Sequence, residues 1–194
     1  HIYPVSTNLS ACINKTIDFI AIVPLQLEEL LANTKGRLNL KKINKILVGG
    51  ASISTRTEEQ LALNELTVYQ SYGMTETVTH VAIKKTGFQG EDVYRSLPGV
   101  HFETQANRLK IIYPAISEVP IQTNDIVNLV DANSFQWLGR ADFVINSGGI
   151  KFSPERLEKK LNQIFDFEVM VTGIEDAKLG HKVGLIIKGE AFQQ

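Results

Sequence analysis

Short apolar runs alternate with helical patterns in the first part of the chain, and this alternation constrains the fold more than any other feature. Apolar, β-branched runs at 18–23, 43–48 and 67–70 are typical of strands, the last one ending at Ser71. Helical patterns follow Pro24 and cover 54–64. Strand, helix, strand, helix, strand at this spacing predicts parallel α/β units.

The pattern changes near Gly87 and again after Gly139. Between Val93 and Trp137, short strands alternate with turn signals such as Ala106-Asn107, which predicts a small β-rich subdomain. Farther on, Ser153-Pro154-Glu155 is a helix cap, a first-turn proline and an acidic residue. A helix and two strands, at 168–173 and 182–188, complete a small C-terminal α+β unit. We therefore predict an α/β fold: parallel α/β units, then a β-rich subdomain, then the α+β domain.

Charge and hydropathy exclude several classes of partner. The 194 residues carry a net charge of -1, so we expect neither nucleic acid nor an anionic membrane surface as partner. There is no apolar run of about 18 residues, so we expect no membrane insertion. The lone Cys12 excludes an intramolecular disulfide and fits a reducing, cytoplasmic location. The first ten residues lack the basic and apolar segments of a signal peptide. Because the sequence also lacks an initiator Met, we expect it to begin within a longer protein.

The segment YQSYGMTETVTH, residues 69–80, combines residue types that suit a nucleotide. It follows a predicted strand, where open α/β sheets bind ligands. Tyr72 can stack on a base, and Gly73 allows close backbone approach. Thr75 can donate to a phosphate, and Glu76 can ligate Mg²⁺. The alternative is a strand-to-loop turn capped by Thr75 and Glu76.

The string Tyr72-Gly73-Met74-Thr75-Glu76 resembles the YG-x-TE motif of the adenylate-forming superfamily, which includes acyl-CoA ligases, luciferases and peptide-synthetase adenylation domains. Gly49-Gly50-Ala51, which ends a predicted strand, resembles the GGA loop of that family. The resemblance implies that this loop packs against the adenine and the acyl substrate. Taken alone, the glycine pair is an ordinary strand-to-helix turn.

Thr123-Asn124-Asp125 resembles the family's TGD motif. The resemblance implies that Asp125 holds both ribose hydroxyls, a task that suits a carboxylate because it accepts two hydrogen bonds. Asn124 replaces the glycine of the motif. Because asparagine is the next best residue for positive φ, we expect a turn here.

The segment from Leu138 to Glu158 resembles the family's GR-x-D…GG…P-x-E-x-E junction between its large and small domains. By resemblance, Arg140 reaches the ribose and Asp142 is the hinge about which the small domain swings. Gly148 and Gly149 fall in a loop that lines the path of the pantetheine arm. A Gly-rich turn before a capped helix would explain the glycines but not the spacing of Arg140 and Asp142.

The implied activity is that of an ATP-dependent acid–CoA ligase, with ATP, Mg²⁺, coenzyme A and a small carboxylic acid as its partners. The adenylation residues would be Thr75 and Glu76. The sequence most resembles the o-succinylbenzoate–CoA ligases of menaquinone biosynthesis. Three features carry this resemblance: the YGMTET string with a histidine after it, the NSGG segment at 146–149, and TND in place of TGD. Met74 and His80 are candidates for the acyl pocket. Other small aromatic or fatty acids stay open as substrates, and so does homo-oligomerisation.

Two family features are missing from the sequence. No Ser/Thr/Gly-rich phosphate loop occurs, and neither Lys182 nor Lys188 lies in the context of the family's C-terminal catalytic lysine. We expect a fragment that is inactive alone. Its predicted parts are 1–92 and 93–140, both of the large domain, and 141–194, the start of the small mobile domain. A non-catalytic nucleotide- or acyl-binding relative and a scaffold domain are the alternatives.

Overall fold

A computed structural model describes residues 17–165 and 167–187. The described residues form two compact units: the first ends at residue 100 and includes 114–116, and the second comprises 101–113 and the described residues from 117 onward. Cys12 and Lys188 lie outside the described residues. The predicted α/β architecture is confirmed, and each unit is described by itself.

The first unit contains a sheet in the order β1-β2-β3-β4-β5. The first three strands are parallel, as the alternation of strand and helix predicts, whereas β4 and β5 are antiparallel to their neighbours. The strands of this unit are β1 (Ile17–Ile22), β2 (Ile43–Val48), β3 (Thr67–Gly73), β4 (His80–Gly87) and β5 (Tyr94–Ser96), and its helices are α1 (Pro24–Leu31), α2 (Thr34–Leu40) and α3 (Thr55–Leu63).

The apolar faces of α1 and of the parallel strands form one core. Leu27, Leu30 and Leu31 of α1 are buried, as their helical spacing predicts. They pack with Val48 and Val68, which are fully buried in the sheet. Burial of this apolar surface is the main force that places α1 against the sheet.

Three local features differ from the expectation. Helix α2 was not predicted because its seven residues, TKGRLNL, are too few to show a helical period; Asn33 caps it by accepting a 2.8 Å hydrogen bond from the N–H of Gly36. The third strand does not end at Ser71 but continues to Gly73. It does so because the antiparallel strand β4, also not predicted, pairs with it along its whole length.

The second unit contains two sets of four paired strands. The first, in the order β9-β8-β7-β6, is antiparallel throughout its three pairings. The predicted turn at Ala106-Asn107 joins β6 to β7, with φ of 52° and 60°. Phe102 and Phe135 pack edge to face in its core, their ring centroids 4.9 Å apart. The strands are β6 (His101–Gln105), β7 (Arg108–Ile112), β8 (Ile121–Asp131) and β9 (Ser134–Arg140).

The second sheet of this unit has the order β11-β10-β13-β12, with α4 packed on β12. Side chains of α4 hold the backbone of that strand: Glu158 accepts from the N–H of Val171 at 2.8 Å, and Asn162 from the N–H of Val169 at 2.9 Å. The elements are β10 (Ile145–Ser147), β11 (Ile150–Phe152), α4 (Pro154–Ile164), β12 (Val169–Asp176) and β13 (Gly180–Ile187).

In this unit the expected turn at 123–125 is wrong, and the expected helix cap is confirmed in its position but not in its hydrogen bond. The segment Thr123-Asn124-Asp125 lies inside β8 and not in a turn, and Asn124 has no positive φ. Pairing with β7 and β9 keeps the segment extended. Ser153 occupies the N-cap position of α4 but makes no capping hydrogen bond, because its hydroxyl bonds to the carbonyl of Leu138 at 3.1 Å.

Candidate functional site

The GGA and YGMTE segments lie at the same edge of the first unit's sheet. Strands β2 and β3 are parallel neighbours, with Val48 opposite Gln70, so their carboxyl ends bring the two segments together. The hydroxyl of Ser71 donates to the carbonyl of Val48 at 3.3 Å. A Cβ on Gly49 would lie 2.5 Å from that hydroxyl, so the strand ends meet closely here. Gly50 and Ala51, next along the chain, are exposed.

Gly73 lies where the pairing of β3 and β4 is interrupted. The register shifts between Tyr72 and Gly73, and Gly73 pairs with His80. A Cβ on Gly73 would lie 2.6 Å from the carbonyl oxygen of Thr79 and 2.7 Å from Cα of His80. Because both atoms belong to backbone, glycine is the residue that this close approach requires.

The loop after Gly73 exposes Thr75 and Glu76 on a short 3-10 helix, Thr75–Thr77. Thr77 is fully buried and organises the loop. Its hydroxyl accepts from the N–H of Met74 at 3.0 Å and lies 2.9 Å from the carbonyl of Met74 and 2.8 Å from that of Thr79. Thr77 therefore holds the loop, while the side chains of Thr75 and Glu76 point outward from it.

Val78 closes this loop in a strained conformation. Its φ of 61° and ψ of -41° are rare for a β-branched residue, and its side chain is 81% exposed. The N–H of Thr79 donates to the carbonyl of Thr77, which makes Val78 the centre of a γ-turn with positive φ. Such strain is concentrated at functional segments in proteins.

Glu76 fits the role of a single carboxylate ligand to Mg²⁺. It is exposed, and no described side chain pairs with it. Among the described residues, no group of three or more His, Cys, Asp or Glu side chains could hold a metal ion. Mg²⁺ is commonly bound through one or two carboxylates together with substrate phosphates, which is the kind of site that one exposed glutamate can serve.

Tyr72 is half-buried beside a second aromatic ring. The ring centroids of Tyr72 and Tyr94 are 5.6 Å apart, with a tilt of 57°. Met74 and His80, the candidates for the acyl pocket, are half-buried in the same segment. His80 Nδ1 lies 3.2 Å from the hydroxyl of Thr79, so its imidazole has a local partner.

In the second unit, Asp125 is a buried carboxylate with a defined orientation. Only 5% of Asp125 is exposed, and its Oδ1 accepts a 3.0 Å hydrogen bond from the indole N–H of Trp137. The N–H of Asp125 donates to the hydroxyl of Thr123 at 3.0 Å. Cross-strand pairing places Arg140 directly opposite Asp125. Two of the predicted ribose contacts therefore lie side by side.

Arg140 and Asp142 form a bidentate ion pair. Nε and Nη2 of Arg140 lie 3.1 Å and 2.8 Å from Oδ1 and Oδ2 of Asp142. The hydrogen bond from Arg140 holds the pKa of Asp142 below its usual value. The guanidinium carbon of Arg140 also lies 5.5 Å from the ring centroid of Phe143. The predicted hinge residue is thus tied to a predicted ribose ligand.

The backbone before this pair is anchored to α4 through Glu155. The N–H of Arg140 donates to Glu155 Oε1 at 3.2 Å, and the hydroxyl of Ser153 lies 3.0 Å from Oε2. Gly139 has a φ of 134°, and a Cβ there would lie 2.6 Å from Glu155 Oε2. Glycine is favoured at this position because the backbone conformation is strained for any other residue and because an added Cβ would have to displace Glu155.

Gly148 and Gly149 form the two-residue turn of the β10–β11 hairpin. Their φ values are 58° and 89°, and both residues are exposed. The N–H of Gly148 donates to the carbonyl of Leu179 at 3.0 Å, and that of Gly149 to Asn146 Oδ1 at 3.1 Å. The turn is therefore fixed by its own neighbours.

None of the described helices is long and apolar enough to cross a membrane.

Sequence reasoning missed the side chains that hold the predicted ligands in place, namely Thr77, Trp137 and Glu155. Trp137 is the single tryptophan of the chain, but its partner Asp125 is set by the register of β8 and β9. A hairpin register with two shifts cannot be read from the sequence alone. The acid at 155 was part of the P-x-E pattern, yet its contact with Arg140 spans 15 residues.

Comparisons with known proteins found sequences and structures that are similar to this chain. No family model matches the chain. The 2-succinylbenzoate–CoA ligase of Oceanobacillus iheyensis is 24% identical over 87% of this chain. An acyl-CoA synthetase (AMP-forming)/AMP-acid ligase II-like protein from Dyadobacter fermentans is 35% identical over 97% of this chain, with a TM-score of 0.64.

More distant solved structures share the fold. MenE of Escherichia coli, solved with a bound analogue of OSB-AMS, is 19% identical over 97% of this chain and has a TM-score of 0.73. The o-succinylbenzoate CoA synthetase of Bacillus subtilis, solved with the acyl-adenylate OSB-AMP, is 21% identical over 95% of this chain, with a TM-score of 0.67. The chain spans 39% of the Oceanobacillus ligase and 56%, 45% and 44% of the three structures, about half of their length. The resemblance predicted from the motifs is confirmed.

Proposed function

We propose, from the similarity of this chain to adenylate-forming acyl-CoA synthetases, that it is a segment of an ATP-dependent acid–CoA ligase. The observation that carries the proposal is Asp125, a buried carboxylate held by Trp137 and paired across the strands with Arg140. A buried carboxylate is costly unless it is hydrogen-bonded, and this one lies in the segment that resembles the family's ribose-binding motif.

The proposed reaction has two steps. The carboxylate of the acid attacks the α-phosphorus of ATP, which gives the acyl-adenylate and releases pyrophosphate. The thiol of coenzyme A then attacks the acyl carbon, which gives the thioester, AMP and a proton. Mg²⁺, when bound, offsets the charge of the phosphates.

Residues of the first unit are proposed to hold the base and the phosphates. Tyr72 offers an aromatic ring for stacking, and the Thr75 hydroxyl is an exposed donor for a phosphate oxygen. Glu76 would hold Mg²⁺ from the same 3-10 helix. The backbone of Gly49, Gly50 and Ala51 would pack against the adenine and the acyl group.

Residues of the second unit are proposed to hold the ribose and to serve the second step. Asp125 would accept the ribose hydroxyls, and the guanidinium of Arg140, opposite Asp125 across the strands, would donate to the ribose. Asp142 would be the hinge between two arrangements of the small domain. Gly148 and Gly149 would lie along the path of the pantetheine arm.

We propose o-succinylbenzoate as the acid, which would place the reaction in menaquinone biosynthesis and the enzyme in the cytoplasm. Support comes from the ligase of Oceanobacillus iheyensis and from the TND and NSGG segments. Met74 and His80 are the proposed lining of the acyl pocket. Another small aromatic or fatty acid is the alternative substrate, because ligases of such acids share most of these sequence features.

The test is a pyrophosphate-release assay of the full-length protein against a panel of carboxylic acids, with and without Mg²⁺. We expect release with o-succinylbenzoate, dependent on Mg²⁺ and reduced in Glu76→Ala. Glu59 is an exposed glutamate of α3. Glu59→Ala is therefore the matched control and should leave the rate of pyrophosphate release unchanged. ATP binding without release for any acid would favour the non-catalytic relative, and no nucleotide binding would favour a scaffold. The 194 residues alone are expected to release no pyrophosphate.

A further inference from the structure

The ring of Tyr72 is backed by a second tyrosine whose own position is fixed. Tyr94 is 7% exposed, and its ring centroid lies 5.6 Å from that of Tyr72. The ammonium of Lys84 lies 5.4 Å from the centroid of the Tyr94 ring. Tyr72 itself is half-buried and therefore keeps accessible surface. The three side chains form a row that ends in the residue proposed to stack on adenine.

Two carboxylates hold the ammonium of Lys84 in place. Its Nζ lies 3.3 Å from Glu58 Oε1 and 3.6 Å from Asp92 Oδ1, and its side chain is 12% exposed. Glu58 belongs to α3 and Lys84 to β4, so the contact also joins the helix to the sheet. A partly desolvated ammonium above an aromatic ring is attracted more strongly than an exposed one.

The strand register places this row on one face of the sheet. Gln70 pairs with Lys84 and Tyr72 with Ala82, while Ala82 pairs with Ser96 on the other side. Side chains two positions apart on a strand point to the same face. Tyr72, Lys84 and Tyr94 therefore share a face because β3, β4 and β5 pair as they do, and the arrangement belongs to the sheet rather than to a loop.

We propose that Lys84 and Tyr94 are positioning residues that set the plane of the Tyr72 ring for stacking on a purine nucleotide. This inference rests on the proposed function, since it assigns Tyr72 to the base. A ring that is already oriented loses little conformational entropy when the nucleotide binds. Most of its stacking free energy therefore contributes to the binding affinity. Loss of the cation or of the supporting ring should weaken binding of the base about 3- to 10-fold.

The experiment compares variants of the full-length protein for binding of AMP and of ribose 5-phosphate, together with KM values for ATP and for the acid. Lys84→Met removes the charge and keeps the aliphatic stem, and Lys84→Arg restores a cation. Tyr94→Leu removes the ring, whereas Tyr94→Phe retains it. Lys85→Met is the matched control, because Lys85 neighbours Lys84 on β4 but points to the other face.

We expect Lys84→Met and Tyr94→Leu to raise the Kd of AMP and the KM of ATP about 3- to 10-fold. Binding of ribose 5-phosphate and the KM of the acid should stay unchanged, and Lys84→Arg, Tyr94→Phe and Lys85→Met should stay within about twofold of wild type. If Tyr94→Leu fails to fold, the AMP binding of Lys84→Met tests the inference by itself.

Three outcomes would overturn the inference. The first is an unchanged Kd of AMP in Lys84→Met. The second is an equal loss of affinity for AMP and for ribose 5-phosphate in that variant. The third is a loss of AMP affinity in Lys85→Met equal to that in Lys84→Met. If the wild-type protein binds no adenine nucleotide, the proposed function itself fails, so the two failures are distinguishable.

Discussion

The indole N–H of Trp137 donates to Oδ1 of Asp125 at 3.0 Å, across the hairpin of β8 and β9. Asp125 is buried and Trp137 is half-buried, so this bond is shielded from water. Hydrogen bonds to a charged group are stronger than neutral ones. Trp137 therefore holds one oxygen of the Asp125 carboxylate in place.

Asp125→Ala in the full-length protein should weaken ATP binding by roughly 2–4 kcal/mol, because the ribose hydroxyls lose a charged acceptor. Titration calorimetry with ATP and with 2′,3′-dideoxy-ATP measures the effect. The variant should bind the dideoxy nucleotide as the wild type does. A similar loss for both nucleotides would mean that Asp125 supports the fold rather than the ribose.

Trp137→Phe should cost about 1–2 kcal/mol in ATP binding, because it keeps an aromatic side chain but removes the donor to Asp125. In an Asp125→Ala background the same change should cost much less, since the two residues act through one hydrogen bond. A double-mutant cycle on the Kd of ATP measures this coupling. Additive losses would show that the indole N–H has no role in orienting Asp125.

Asp142→Pro should separate the two half-reactions of the full-length enzyme. Proline fixes φ near -65°, so it should trap one of the two arrangements that a hinge must adopt. We expect adenylation to survive and thioester formation to fall, because the motifs at 49–51 and 72–76 are unchanged. The assay compares single-turnover pyrophosphate release without coenzyme A with thioester formation from preformed adenylate.

Asp142→Ala is the control for that experiment, since it removes the ion pair with Arg140 without restricting the backbone. The ion pair is exposed, so its loss should change stability by less than about 1 kcal/mol. Equal losses of both half-reactions in Asp142→Pro would indicate misfolding. Full activity in both would exclude Asp142 as the hinge.

Gly139→Ala should destabilise the second unit by roughly 1–3 kcal/mol. The φ of 134° is strained for any residue with a Cβ, and the new methyl group would displace Glu155 from the N–H of Arg140. Urea denaturation measures the free energy of unfolding. Gly180→Ala, at a positive φ of 76° with no atom within 4 Å of the added Cβ, separates the backbone effect from the packing effect. Equal losses at 139 and 180 would contradict a role for Glu155.

Val78→Gly should raise the free energy of unfolding by roughly 1 kcal/mol, because glycine adopts positive φ without strain and no buried contact is lost. Thermal unfolding followed by circular dichroism measures the shift. Val130→Gly, an exposed valine in β8, should destabilise instead. A lower melting temperature for Val78→Gly would mean that the γ-turn is not strained.

The parallel half of the fold was predictable because buried strands and amphipathic helices leave distinct periods in the sequence. Leu27, Leu30 and Leu31 are spaced for one helix face and are buried together. Strand β4 was missed, since its residues His80–Gly87 mix apolar, basic and hydroxyl side chains. The motif directs attention to Asp125, but the extended backbone of Asn124 was not predictable, because pairing with β7 and β9 overrides its local turn preference.

The change from parallel to antiparallel pairing at β3 affects the order in which the chain can fold. Strands β1, β2 and β3 pair only after helical crossovers of many residues have closed, whereas β3 and β4 are joined by the loop at 74–79. Contacts between residues near in sequence form at low entropic cost and therefore early. The bonds of Thr77 to Met74 and Thr79 span three residues and two. The loop that carries Thr75 and Glu76 can thus form with its hairpin, before the parallel sheet that supports it is complete.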